Sequence, residues 1–302
     1  MTNRLNEKAM LALELSDEER IKLIRSELWI RYTKSKEILD KLDELLTYPK
    51  KRRMPNLLIV GDTNNGKTMI ASRFQQLHPI DENVDGDAII FPVMLVQAPP
   101  VPDEGRFYDE ILRKLSAPFK VNDSPSKKLF QVLTISDRVK LKMLIIDEIQ
   151  DILAGSLRNQ HKFRNAIKHL GNELQIPIVG VGTQEAFHAI QTDPQLANRF
   201  VPVFLPRWEI GDKVKPKQNP YLKLLTSFER ALPLKEPSNL TENGLPLKLL
   251  NMSEGLIGEL SAILDEAAVK AIRSKKERVD MKILNDINFI PPSDRKWGRK
   301  RT

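Results

Sequence analysis

Short, unbroken apolar runs recur through the middle of the chain, each separated from the next by an amphipathic stretch of helical period. The runs are residues 57–60 (LLIV), 93–96 (VMLV), 143–146 (MLII) and 178–181 (IVGV), and then 201–205 (VPVFL), which Pro202 interrupts. A strand covered on one face alternates apolar with polar residues, whereas a strand covered on both faces stays apolar throughout. The pattern therefore predicts an α/β domain over residues 56–206, a parallel sheet lying between helices.

The flanks read differently. Ser16 and Glu19 have capping-box spacing, and Ile21, Ile24, Leu28, Ile38, Leu42 and Leu45 recur at helical intervals, which predicts helix over 16–46. Pro49 and Pro55 bracket a basic linker. Beyond the sheet, residues 211–246 are rich in proline and lysine, with a short helix expected near 221–232. Residues 253–273 and 280–286 return to helical pattern. The expected organisation is N-terminal helices and linker (1–55), the α/β domain (56–206), a small all-helical lid (207–290) and a mobile basic tail (291–302). No repeat with a period of 20–50 residues is visible.

Composition narrows the class. Of 302 residues, 41% are apolar and 29% charged, the balance of a soluble globular protein. No apolar run approaches the roughly 18 residues of a membrane span. The first residues, MTNRLNEKAMLALELSDEER, do not read as a signal peptide, so a cytoplasmic location is expected. The absence of cysteine excludes disulfides, thiolate metal sites and a cysteine nucleophile. His78, His161, His169 and His188 are scattered, with no spacing that suits a metal pair. The net charge is +8. Residues 48–55 hold four bases and no acid, and residues 291–302 five bases and one acid, so these two segments account for all of it. Such local excess suits a surface that meets a polyanion, although solvated basic segments are equally common.

One motif carries chemistry. Gly61, Asp62, Thr63, Asn64, Asn65, Gly66, Lys67 and Thr68 read G-x-x-x-x-G-K-[ST], placed between an apolar run and a helical stretch. In that setting the glycines permit tight turning and close approach. Backbone N–H groups surround phosphates, Lys67 puts a cation on the β- and γ-phosphates, and the Thr68 hydroxyl ligates Mg²⁺. About 80 residues on, four apolar residues lead into Asp147 and Glu148. Asp147 suits the Mg²⁺ site and Glu148 the positioning of attacking water. No guanine-reading N-K-x-D is present, so ATP is the expected nucleotide.

The segments 53–74 (RMPNLLIVGDTNNGKTMIASRF), 92–112 (PVMLVQAPPVPDEGRFYDEIL), 143–153 (MLIIDEIQDIL), 178–186 (IVGVGTQEA) and 254–272 (EGLIGELSAILDEAAVKAI) resemble TniB, the AAA+ ATPase of certain bacterial transposons. The resemblance implies an AAA+ fold, ATP and Mg²⁺ as cofactors, and assembly of many copies as a ring or filament on double-stranded DNA. It further implies recruitment or activation of a transposase, alongside other transposon-encoded target-selection proteins. Thr183 then corresponds to a polar residue that contacts the γ-phosphate and water, or it is a plain cap at a strand end. Arg199 corresponds to an arginine offered to a neighbour's ATP, or it serves a salt bridge within its own subunit. The DNA-facing loops of related transposon ATPases correspond to residues 98–106 and 120–128, with Arg106, Lys120, Lys127 and Lys128. Lys50–Arg53 and Arg295–Arg301 are rival sites. The lid departs from the AAA+ pattern: Glu259 follows Gly258 where an arginine is common. Other readings stay open. A helicase loader or replication initiator would share the fold, although no initiator-type helix-turn-helix is evident. A nucleotide switch without turnover would not need Glu148, and a scaffold would not need the motif set.

Overall fold

A computed structural model of the chain describes residues 4–84, 86–153, 156–211 and 218–295. Its contacts divide into two units, Ser35–Leu205 and residues 1–34 with 206–302.

The chain begins in the helical unit with α1 (Glu7–Ala12) and α2 (Asp17–Ile24). Ser16 and Glu19 form the expected reciprocal capping box. The helix expected over 16–46 is interrupted, however. After α2, residues 27–32 form neither helix nor strand, and α3 (Thr33–Leu46) starts anew. In this interval Ile30 enters the core, and the Tyr32 ring meets Trp208 edge-on, with centroids 5.2 Å apart. Those two contacts outweigh continuation of the helix.

Ser35–Leu205 carries the sheet. Its elements are β1 (Asn56–Gly61), α4 (Lys67–Leu77), β2 (Val93–Gln97), α5 (Glu104–Lys114), α6 (Pro125–Arg138) and β3 (Met143–Asp147). A 3-10 turn, Ile149–Leu153, leads to α7 (Leu157–Leu174), β4 (Ile178–Gly182), α8 (Gln184–Gln191), α9 (Pro194–Ala197) and β5 (Phe200–Leu205). The strand order is β2-β3-β4-β1-β5, and all pairings are parallel. Every residue of β3 and β4 is buried, as the unbroken apolar runs predict. Among the described residues β5 lies at the sheet edge, paired only with β1, and leaves Val201 and Phe204 exposed. Pro202 is tolerated there because an edge strand needs hydrogen bonds on one side only.

In the helical unit, α10 (Pro220–Ala231) appears where expected. α11 (Leu245–Ser253) is not expected from the sequence: its first two residues close the proline- and lysine-rich stretch, and the rest falls between that stretch and the helix predicted from 253. α12 (Ile257–Arg273) starts later than the predicted 253, because Glu254 and Gly255 both take left-handed backbone. α13 (Met281–Asp286) completes the helices. Tyr221, Leu224, Leu225, Leu249, Ile263, Leu264 and Ile272 form this unit's core with Ile21 and Ile24. α2, read from the sequence as part of a separate N-terminal segment, thus shares a core with α10–α13.

Two features of this unit concern charge. Arg295 makes a two-pronged pair with Glu259, at 2.8 and 2.6 Å, and its Nε donates to the Ile290 carbonyl. The segment expected to be mobile from Pro291 is therefore held as far as Arg295, and the rest of the basic tail, 296–302, lies outside the described residues. Glu259, at the position where AAA+ lids often carry arginine, is engaged by this arginine.

Asp265 lies beside a cavity of about 450 Å³ lined also by Arg25, Glu266, Lys270, Arg273 and Asp286. Burial pushes its carboxyl up to about 7. The fold favours the neutral acid, so this contribution to stability is complete below the ordinary aspartate range and is lost as pH rises through about 7. Asp265→Asn is expected to melt higher than the parent at pH 8, with the gap narrowing toward pH 4. A gap that does not change with pH in thermal melts would remove the assignment.

Candidate active site

β1 ends at Gly61, against β5. A Cβ on Gly61 would lie 2.9 Å from the Leu205 carbonyl oxygen, so only glycine permits this approach. The Asn65 amide donates to the same carbonyl at 2.9 Å, which fastens the loop to β5. Gly66 turns the loop into α4 with φ 82°, the left-handed region that glycine enters without strain. Lys67 is buried, and its Nζ donates to the Asp62 carbonyl at 2.7 Å. Burial lowers its pKa, against the opposing pull of Glu148, Asp147 and Asp62.

β3 ends one strand beyond β4. The Thr68 hydroxyl donates to Asp147 Oδ2 at 2.8 Å, and the Glu148 N–H donates to Asp147 Oδ1 at 2.9 Å. Burial raises the Asp147 pKa, while these two hydrogen bonds oppose the rise. The hydroxyl and the carboxylate thus meet at one point between the ends of β1 and β3. Among the described residues, no group of three or more His, Cys, Asp or Glu side chains is placed to hold a metal ion. A hydroxyl with a single carboxylate fits Mg²⁺, which keeps several waters and takes its remaining ligands from phosphate.

Glu148 has φ 53°, a conformation that costs a non-glycine residue about 1 kcal/mol or more. It turns the chain off β3 into the 3-10 turn, whose Gln150 lies against the end of β4. Gln150 Nε2 donates to Glu148 Oε2, and Gln150 Oε1 accepts from the Thr183 N–H at 3.2 Å. Thr183 precedes α8, but its side chain makes no capping bond, and its hydroxyl oxygen is buried without a hydrogen-bond partner. Lys67, Thr68, Asp147, Glu148 and Thr183 therefore gather at the carboxyl ends of β1, β3 and β4, where open α/β sheets bind ligands.

Arg199 is at the other end. Its carbonyl accepts from Asn56 N–H at 3.0 Å, beside the start of β1. At about 3.3 Å per residue, the length of β1 separates it from Gly61 by roughly 17 Å, beyond the reach of an arginine side chain. Its Nη1 donates to Asn172 Oδ1 at 2.9 Å. The groove around it, about 930 Å³, is lined also by Lys51, Arg52, Arg53, Glu173 and Gln175.

The family model for "Bacterial TniB protein" matches residues 20–210. This chain belongs to the TniB family. No curated protein matches it in sequence. Among solved structures, the ORC2 protein of Aeropyrum pernix, in ADPNP–ADP complexes, superposes with a TM-score of 0.60 at 14% identity, covering 87% of this chain and 69% of that one. The ORC1 protein of the same organism, in complex with DNA, gives 0.61 at 17% identity, with coverages of 88% and 67%. A Walker-type ATPase of Pyrococcus abyssi gives 0.55 at 15% identity, with 87% and 74%. These likenesses establish the AAA+ fold of the TniB chain: the parallel five-stranded sheet between helices, with helices following it.

The basic residues of the TniB chain divide. Arg106 and Lys120 are exposed, Arg106 on the first turn of α5. Lys127 is exposed and pairs with Asp123 at 2.8 Å. Lys128 corrects the expectation of a DNA-facing lysine. It is 3% exposed, and its ammonium pairs at 2.8 Å with Asp109, itself 7% exposed, while also donating to the Val121 carbonyl. Lys128 is a bond between α5 and α6. Lys50–Arg53 are all exposed, the last three lining the Arg199 groove. No helix among the described residues is long and apolar enough to cross a membrane. Sequence reasoning passed over Gln150. The available signal was the glycine pair in IVGVG, which leaves space beside β4 for a side chain from elsewhere.

Proposed function

We propose that this chain binds ATP, hydrolyses it with Mg²⁺, and assembles in several copies on double-stranded DNA, where it recruits or activates a transposase. The observation that carries the ATPase reading is the convergence of Lys67, the Thr68–Asp147 pair, Glu148 and Thr183 on one point. The loop N–H groups and Lys67 would hold the β- and γ-phosphates. Thr68 and Asp147 would hold Mg²⁺, which would supply positive charge to the phosphate oxygens. The Glu148 carboxylate orients a water and takes its proton as the water oxygen bonds to the γ-phosphorus. The bond to the bridging oxygen breaks, leaving ADP and phosphate. The unpartnered Thr183 hydroxyl is available to donate to a γ-phosphate oxygen.

The DNA and transposase parts rest on the role that the TniB family implies. ORC1 of Aeropyrum pernix was solved with DNA and ORC2 with ADPNP and ADP, and both properties suit this reading. A replication-initiation or helicase-loader role would use the same fold, and TniB membership over residues 20–210 favours transposition. Arg106, Lys120 and Lys127 would neutralise DNA phosphates without reading sequence.

Glu148→Gln is expected to bind ATP within about threefold of the parent and to lose about 10²–10⁴ of turnover, the usual worth of a general base. Lys67→Ala should lose ATP binding itself. Phosphate release and fluorescent-nucleotide titration on DNA read the two effects separately. Parent-like turnover in Glu148→Gln would move the water-positioning role elsewhere.

A further inference from the structure

A carboxamide has one accepting and one donating end, and the Gln150 site fixes which is which. Its Oε1 accepts from the Thr183 backbone N–H at 3.2 Å, so its NH₂ group must face Glu148, where Nε2 donates to Oε2. One side chain thus spans from the carboxylate after β3 to the residue after β4. β4 makes room for it. A Cβ at Gly182 would lie 2.7 Å from Gln150 Oε1, and a Cβ at Gly180 would lie 2.9 Å from Ile149 Cδ1. The glycines of IVGVG are therefore the space into which the turn Ile149–Gln150 fits.

From this bridge we infer that Gln150 is a positioning residue for hydrolysis, which aims the Glu148 carboxylate and ties its position to Thr183. The inference rests on the ATPase reading above and extends it. Two restraints act on Glu148: its left-handed backbone at φ 53° and the hydrogen bond from Gln150. That bond occupies one carboxylate oxygen and leaves the other to a water. At the far end, the Thr183 hydroxyl is buried without a partner, on the same residue as the N–H that Gln150 holds. A phosphate oxygen that engages this hydroxyl shifts residue 183, and the carboxamide carries the shift to Glu148. The base is thereby set by the presence of the group it acts on.

The test replaces the hydrogen bonds while keeping the volume. Gln150→Met preserves length and packing but can neither donate nor accept at those positions, and Gln150→Ala serves as a second variant. Both are expected to keep fluorescent-ADP affinity and KM within twofold and to lower kcat at least tenfold. The discriminating measurement is a cycle with Glu148→Gln. A residue that acts only through Glu148 should cost less than twofold when added to Glu148→Gln in single-turnover assays. Parent-like kcat in Gln150→Met, or a tenfold loss that persists on the Glu148→Gln background, overturns the inference while the ATPase reading stands. Hydrolysis unaffected by Glu148→Gln overturns both.

Discussion

An Arg199→Ala chain should fold and bind ATP as the parent does, yet lose about 10³–10⁵ of DNA-stimulated turnover, the range measured for arginine fingers in other NTPases. The reason is distance. Arg199 borders the start of β1, while the phosphate loop follows its end, so the guanidinium cannot meet its own subunit's nucleotide. It can act only if a second copy presents a nucleotide to the groove of Lys51, Arg52, Arg53 and Arg199. In the isolated chain the Arg199 guanidinium donates to the neutral Asn172 carboxamide oxygen, a weaker partner than the charged oxygens of a phosphate, which would displace it. Mixing makes the relation visible. Arg199→Ala and Lys67→Ala chains should each be inactive alone. Together they should regain part of the parent activity, because some junctions then combine an intact loop with an intact arginine. Co-assembly without recovery would mean that Arg199 does not act across a subunit boundary.

The second large effect concerns stability. Glu277→Ala is expected to destabilise the helical unit by about 3–5 kcal/mol, the cost of leaving a buried charge without its partner. Arg20 is fully buried on α2, and its two terminal nitrogens reach Glu277 at 2.8 and 2.7 Å. Its other contacts are Asp17 at 2.7 Å and the Pro233 carbonyl at 3.1 Å. The Arg20 hydrogen bond holds the Glu277 pKa below the usual glutamate range, helped by the Lys235 N–H. The pair's contribution is thus complete at neutral pH and lost only as acid protonates Glu277. Replacing both partners, as Arg20→Met with Glu277→Leu, should recover most of the loss, since the penalty belongs to the stranded charge. Denaturant melts compare the three chains. A single mutant as stable as the parent would mean that water reaches Arg20 when Glu277 is gone.

What could be read from the sequence was what depends on neighbours in the chain. The strands were legible because burial on both faces leaves an apolar run that needs no partner to be recognised. The loop 61–68 was legible because its chemistry is contiguous. Contacts across the fold were hidden. Lys128 looked like a surface charge because Asp109 is nineteen residues away, on another helix. The gap between α2 and α3 was hidden because what ends the helical pattern is packing of Ile30 and Tyr32 against residues from the far end of the chain. Gln150 was hidden for a similar reason, since its position depends on space left by glycines thirty residues later.

The edge strand β5 has a consequence for aggregation. An uncovered strand with exposed Val201 and Phe204 would ordinarily invite another molecule's strand, and such pairing is hard to undo. Pro202 interrupts the row of donors that an added strand would need. Two copies brought together are thereby kept from joining their sheets strand to strand.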